Sequence, residues 1–106
     1  MRIYISLPIS NMDEKQQREK ADKIKSTLSK QGHIVVNPFD IIPDKENPDW
    51  YDHIGADLRE LAKCDAIYLC NGWMDSKGCR IEMNYAISLG IRTIFGREEP
   101  AEYFYR

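Results

Sequence analysis

Four short apolar runs, separated by three stretches of helical spacing, constrain this chain more than any other feature. Residues 2–7, 33–36, 65–70 and 91–95 carry β-branched, aromatic or small apolar side chains over strand length. Between them, residues from about 10 to 31, 50 to 63 and 78 to 89 repeat apolar side chains at intervals of three and four. The order reads β-α-β-α-β-α-β. Strands that alternate with helices pair in parallel, because each crossover returns the chain to the same end of the sheet. The predicted fold class is α/β, a three-layer Rossmann- or flavodoxin-like sandwich with a four- to five-stranded parallel sheet. A chain of 106 residues buries one modest core, which predicts a single domain over residues 1–106.

Local punctuation sets the boundaries. Pro8 ends the first strand, and Ser10 or Asn11 suits the cap of the helix that follows, with Asp13 and Glu14 in its first turn. That helix has a thin apolar stripe of Ala21, Ile24 and Leu28 and stops at Gly32. Asn37-Pro38 closes the second strand, and the loop to Asp49 holds Pro43 and Pro48. Ile54, Leu58 and Leu61 form the stripe of the second helix, and Gly90 closes the third as its C′ residue. If Ile3 and Ile5 face one helix layer, Tyr4 faces the other.

Composition excludes several function classes. The net charge is -2, so no basic field invites nucleic acid. No apolar run nears the roughly 18 residues of a membrane helix, and the expected location is the cytoplasm. Three cysteines, Cys64, Cys70 and Cys79, have no C-x-x-C spacing, which argues against a disulfide framework and a zinc site. Cys64 and Cys70 flank a strand and are expected to be buried. No G-x-G-x-x-G follows the first strand, and there is no P-loop or nucleophile elbow. No metal or cofactor is expected.

The residues that bring chemistry are carboxylates. Glu82 falls about one turn into the third helix, whose N-terminal end faces the crevice at the carboxyl ends of the strands. An acid there also suits the helix dipole. Asp57 borders the apolar stripe of the second helix, where it is either a solvated flank residue, the commoner case, or a buried one whose raised pKa would suit it to donate a proton. Tyr4 either packs in the core, the more common role of such a residue, or turns its hydroxyl to hold a carboxylate. Asp65 opens a strand and is expected to bond loop amides. His33 and His53 lack partners at ligand spacing. Trp50, Tyr51 and Trp73 lie in or beside the two polar loops, where they either stack on a base or cover the edge of the core.

Four features together resemble the nucleoside 2-deoxyribosyltransferase-like superfamily, and within it a branch of small domains of unknown function (DUF4406-like). They are Tyr4 with Ser6-Leu7-Pro8-Ile9-Ser10, the Asn37-Pro38 strand end, Asp57 to Ala66, and Ser76-Lys77-Gly78 leading into Glu82-Met83-Asn84-Tyr85-Ala86. The last two are the specific ones. The resemblance runs from Arg2 to Phe95 and implies cleavage or transfer of an N-glycosidic bond on a nucleoside or nucleoside 5′-monophosphate. It gives Glu82 the role of nucleophile at C1′, Asp57 that of assisting the departing base, and Tyr4 that of orienting Glu82. It places the substrate against Ser6, Pro8, Ser10, Asn37, Ser76 and Gly78, with Ser76 matching a serine that holds a 5′-phosphate. It also implies a homodimer or higher homo-oligomer, for which the aromatic tail Tyr103-Phe104-Tyr105 is a candidate contact. The chain departs from the family at Leu7, where phosphate-holding relatives have glycine. Lys77 and Arg80 are the candidate replacements for the missing positive charge, and Asp75 stands one residue from a base-reading aspartate. The departure at Leu7 keeps an alternative open: a nucleotide or nucleotide-sugar binding module that retained the pocket and lost the chemistry.

Overall fold

The computed structural model describes residues 1–96. Four strands alternate with three helices: β1 (Arg2–Ser6), α1 (Glu14–Lys30), β2 (Ile34–Val36), α2 (Trp50–Leu61), β3 (Ala66–Leu69), α3 (Lys77–Ser88) and β4 (Arg92–Phe95). Short 3₁₀ turns at Pro38–Asp40 and Trp73–Asp75 interrupt the two polar loops. The strands form one parallel sheet in the order β2-β1-β3-β4. Tyr4 pairs with Val36 on one side and Ile67 on the other, and Ser6 pairs with Leu69. The chain therefore leaves β1 in opposite directions to reach β2 and β3. That reversal opens a crevice beyond the carboxyl ends of β1 and β3.

The pleat of β1 and β3 divides the interior in two. On one face Tyr4, Ile67 and Leu69 pack with Leu61 and Cys64 at the end of α2 and Ala86 of α3. On the other, Ile5, Leu7 and Cys70 pack with Ala21 and Ile24 of α1. Tyr4 thus faces the layer opposite to Ile5, as its position in the alternation predicts. Cys64 and Cys70 are buried, as expected. Asp65 accepts a hydrogen bond from the Arg2 amide at 2.8 Å and ties the start of β3 to the start of β1.

Two details differ from the sequence reading. The cap of α1 is Asp13, whose side chain accepts from the Gln16 amide, and the helix begins two or three residues later than Asn11 or Ser10 would start it. Asn11 adopts a left-handed conformation (φ 63°) in the turn before the cap, a conformation Asn tolerates better than most residues. The third helix opens on Lys77, capped by Ser76, so Gly78 is its second residue rather than its first. The sheet has four strands among the described residues. Among them no helix is long and apolar enough to cross a membrane. Tyr103, Phe104 and Tyr105, the candidate contact with a second copy, lie outside the described residues.

Leu61 is fully buried where α2 meets the sheet. Leu61→Ala is expected to lower unfolding free energy by about 2–5 kcal/mol, read from the midpoint of a denaturant titration.

Candidate active site

Tyr4 and Ser6 are two apart on β1, so both hydroxyls project to the same face of the sheet. Glu82 of α3 lies over that face. Tyr4 donates to Glu82 Oε2 at 2.6 Å and Ser6 donates to Oε1 at 2.7 Å. Each carboxylate oxygen thus receives one hydroxyl. Tyr4 and Ser6 are fully buried and Glu82 is 4% exposed. Asp57 of α2 is half-buried and close enough to share hydrogen bonds with Glu82 and Tyr4.

Burial governs the protonation of this cluster. Loss of hydration raises Glu82 to about 8, with the Tyr4 and Ser6 hydroxyls pulling it back and the neighbouring Asp57 pushing it further up. Burial likewise raises Asp57 to about 7, while hydrogen bonds from Glu82 and Tyr4 act in the opposite direction. Two carboxyls this close titrate as a pair, and near neutral pH they hold about one proton between them. The Tyr4 hydroxyl is itself raised well above 10, chiefly by burial and then by the charge of Glu82, so it remains a donor.

Glu82 and Asp57 open on a cavity of about 600 Å³, within the usual range for small-molecule sites. Ser10, Ser76 and Gly78 also line it. Ser76 does so while its Oγ accepts from the Cys79 amide as the cap of α3. A Cβ on Gly78 would make only ordinary contact with Ile54, so packing does not dictate this glycine.

Three of the expected site residues are elsewhere. Ser6 is expected at the substrate, but its hydroxyl is spent on Glu82 beneath the cavity floor. The Pro8 carbonyl accepts from the buried Gln17 side chain, and the proline does not line the cavity. Asn37 is 3% exposed: its Oδ1 accepts from the Phe39 amide and its Nδ2 donates to Asp22, so it shapes a turn.

The cavity wall includes residues that spacing did not single out. Arg18 extends over the Phe39 ring at 4.6 Å and pairs with Glu14 at 3.1 Å. Their spacing, i and i+4 on α1, is the signal that was available. Cys79, one helical turn before Glu82, is buried at the wall, and burial raises its thiol. Of the two candidate cations, Lys77 lines the cavity and sits over the Trp50 ring at 4.8 Å, whereas Arg80 donates to the Met74 carbonyl. Asp75, His53 and Trp50 reach the cavity. Trp73 instead packs on the core and on Phe95, and Tyr51 is exposed. His33 pairs with the chain's own amino terminus. Among the described residues no group of three His, Cys, Asp or Glu side chains is arranged to hold a metal ion.

A family model, described as a domain of unknown function (DUF4406), matches residues 1–95. The chain belongs to that family. No curated protein matches its sequence. Among solved structures, this DUF4406 chain is similar to a 2-deoxyribosyltransferase from Bacillus psychrosaccharolyticus, with a TM-score of 0.68 at 20% identity over 96% of this chain and 79% of that one. It is also similar to the CMP N-glycosidase BcmB of Clostridium botulinum, with a TM-score of 0.61 at 18% identity over 99% of this chain and 78% of that one. The family and the shared fold are those the sequence resemblance predicts.

The raised carboxyls carry a consequence for stability. Between their unfolded values near 4 and their folded values of about 7 and 8, the folded state binds more protons than the unfolded state. Stability therefore falls as pH rises through that window. Denaturant midpoints from pH 4 to 9 are expected to show this decline, and Glu82→Gln, which removes the charge, is expected to flatten it.

Proposed function

We propose that this protein cleaves or transfers the N-glycosidic bond of a nucleoside or nucleoside 5′-monophosphate, with Glu82 as nucleophile. The observation that carries the reading is a buried carboxylate at a cavity floor, gripped on both oxygens by hydroxyls, beside a second carboxyl that shares its proton. The two structural relatives, a 2-deoxyribosyltransferase and a CMP N-glycosidase, support the class of reaction.

The chemistry follows from the pair. An ionised Glu82 oxygen bonds to C1′ as the bond from C1′ to the base nitrogen breaks, through an oxocarbenium-like transition state. The electron pair of the broken bond stays on the base, which takes a proton from Asp57. The product is a glycosyl ester of Glu82 and a free base. Asp57, now ionised, accepts a proton from water or from a second base as that nucleophile attacks C1′, and Glu82 departs as carboxylate. Tyr4 is a positioning residue that keeps Glu82 turned toward the cavity. Ser76, Ser10 and Gly78 are the substrate contacts, with Lys77 as the cation nearest Ser76 along the chain.

A second reading has one observation in its favour. Leu7 puts an apolar side chain in the cavity wall where the resemblance implies an open glycine. On that reading the pocket binds a nucleotide or nucleotide-sugar without turning it over.

Incubation with 2′-deoxynucleosides, ribonucleosides and their 5′-monophosphates, with and without an acceptor base, tests both readings. Free base is expected by chromatography, with a loss of roughly 10³-fold or more in Glu82→Ala. Saturable binding by calorimetry without base release would replace the enzyme with the binding module. Asp57→Asn is expected to cost about 10²–10⁴-fold, and less for substrates whose base leaves without protonation. An equal loss across leaving groups would remove Asp57 as proton donor.

A further inference from the structure

Ser6 is the residue this chain's site contains without an assigned purpose. The resemblance places it at the substrate, but its side chain lies beneath the cavity floor, fully buried, with its hydroxyl on Glu82 Oε1.

We propose that Ser6 is a positioning residue that keeps Glu82 ionisable near neutral pH, through the hydroxyl it donates to Glu82 Oε1 at 2.7 Å. The inference rests on the nucleophilic role proposed above for Glu82, which it deepens. The groups facing Glu82 are Tyr4 and Ser6 from β1, Asp57 from α2 and Cys79 from its own helix. Asp57 and Cys79 are acids, and a negative charge on either opposes ionisation of Glu82. Tyr4 donates to Glu82 Oε2 at 2.6 Å and also acts on Asp57, so it lowers both carboxyls. Ser6 acts on one carboxyl alone. It acts on Glu82 and is not among the groups acting on Asp57. A hydroxyl donating to an anion stabilises the charged form over the neutral one. With Glu82 at about 8 and Asp57 at about 7 the shared proton still favours Glu82, and the Ser6 contact narrows that gap, which keeps populated the arrangement in which Glu82 attacks and Asp57 donates.

The pair's balance is sensitive to such a contact. The two carboxyls differ by about one unit, a gap that one charge-assisted hydrogen bond can span. With the hydroxyl removed, the gap would widen, and ionised Glu82 would become scarcer through the neutral range.

The test is a carbon-detected NMR titration of the side-chain carboxyls in the wild type and in Ser6→Ala, Ser6→Thr and Tyr4→Phe, with Glu82→Gln to assign the resonances. Ser6→Ala removes one oxygen from a buried site and creates no charge. Its Glu82 midpoint is expected to rise by roughly one pH unit while that of Asp57 stays or falls. Ser6→Thr, which keeps the hydroxyl, is expected to restore the wild-type midpoint, and Tyr4→Phe to move both carboxyls. A Glu82 midpoint that stays within about 0.2 units in Ser6→Ala, or a rise of equal size at both carboxyls, would overturn the proposal. The same titration separates the two hypotheses, since it needs no substrate. A shifted midpoint in a protein that releases no base would uphold the role of Ser6 and remove the enzyme reading. Base release with an unmoved midpoint would do the reverse. Where base is released, the acid limb of kcat/KM is expected to move upward with the midpoint in Ser6→Ala, a change that loss of packing alone would not produce.

Discussion

The cost of holding a carboxylate away from water shapes the centre of this molecule. An ionised acid in a dry interior is unstable unless something replaces its hydration, and otherwise it takes up a proton. Glu82 sits at this boundary. Two hydroxyls replace part of its lost hydration, and burial withholds the rest. A cation in their place would have held the acid permanently charged and taken it out of exchange with its neighbour. Hydroxyls leave its charge within reach of neutral pH, so the Glu82–Asp57 pair stays poised between two protonation arrangements. Such pairing of environments is a recurring way for one site to present a nucleophile and an acid together.

The fold supplies this environment through a few fixed relations. The reversal of strand order around β1 opens the crevice, and the first turns of α1, α2 and α3 line it. Glu82 comes from a helix capped by Ser76, and its partners come from the strand that lies centrally in the sheet beside β3. Asp57 is delivered by α2, whose far end is anchored by Leu61 in the same core that packs around the Tyr4 ring. Core and site on this face of the sheet share residues, and the stability of one sets the geometry of the other.

Much of this was legible in the sequence, because it follows from periodicity. The alternation of strands and helices, the division of Tyr4 from Ile5, and the stripes of α1 and α2 are properties of spacing alone. The Glu82, Asp57 and Tyr4 cluster was readable because burial and motif agreed on the same residues. What failed was side-chain destination within loops and short turns. Asn37 and Pro8 are substrate contacts by resemblance, but their polar groups satisfy the Phe39 amide of a short turn and a buried glutamine. Ser10 and Asn11 are good caps by type, and Asp13 wins because the loop after β1 needs a left-handed residue before the helix begins. Arg18 and Cys79 reach the cavity through the rotation of their helices about the sheet, which spacing within one helix does not reveal.

The two-residue pleat of β1 links properties that are usually thought of as separable. Ile3 and Ile5 alternate with Tyr4 and Ser6 along five residues, so one backbone repeat sorts apolar bulk from hydroxyl donors. Insertion or deletion of a single residue within this strand would invert the sorting. The hydroxyls would turn toward α1, the isoleucines would press on Glu82, and the carboxylate would face hydrocarbon on both oxygens. A length change in β1 would thus strip the acid of both donors at once, whereas a change in the loops after β2 and β3 would reshape the cavity wall around it.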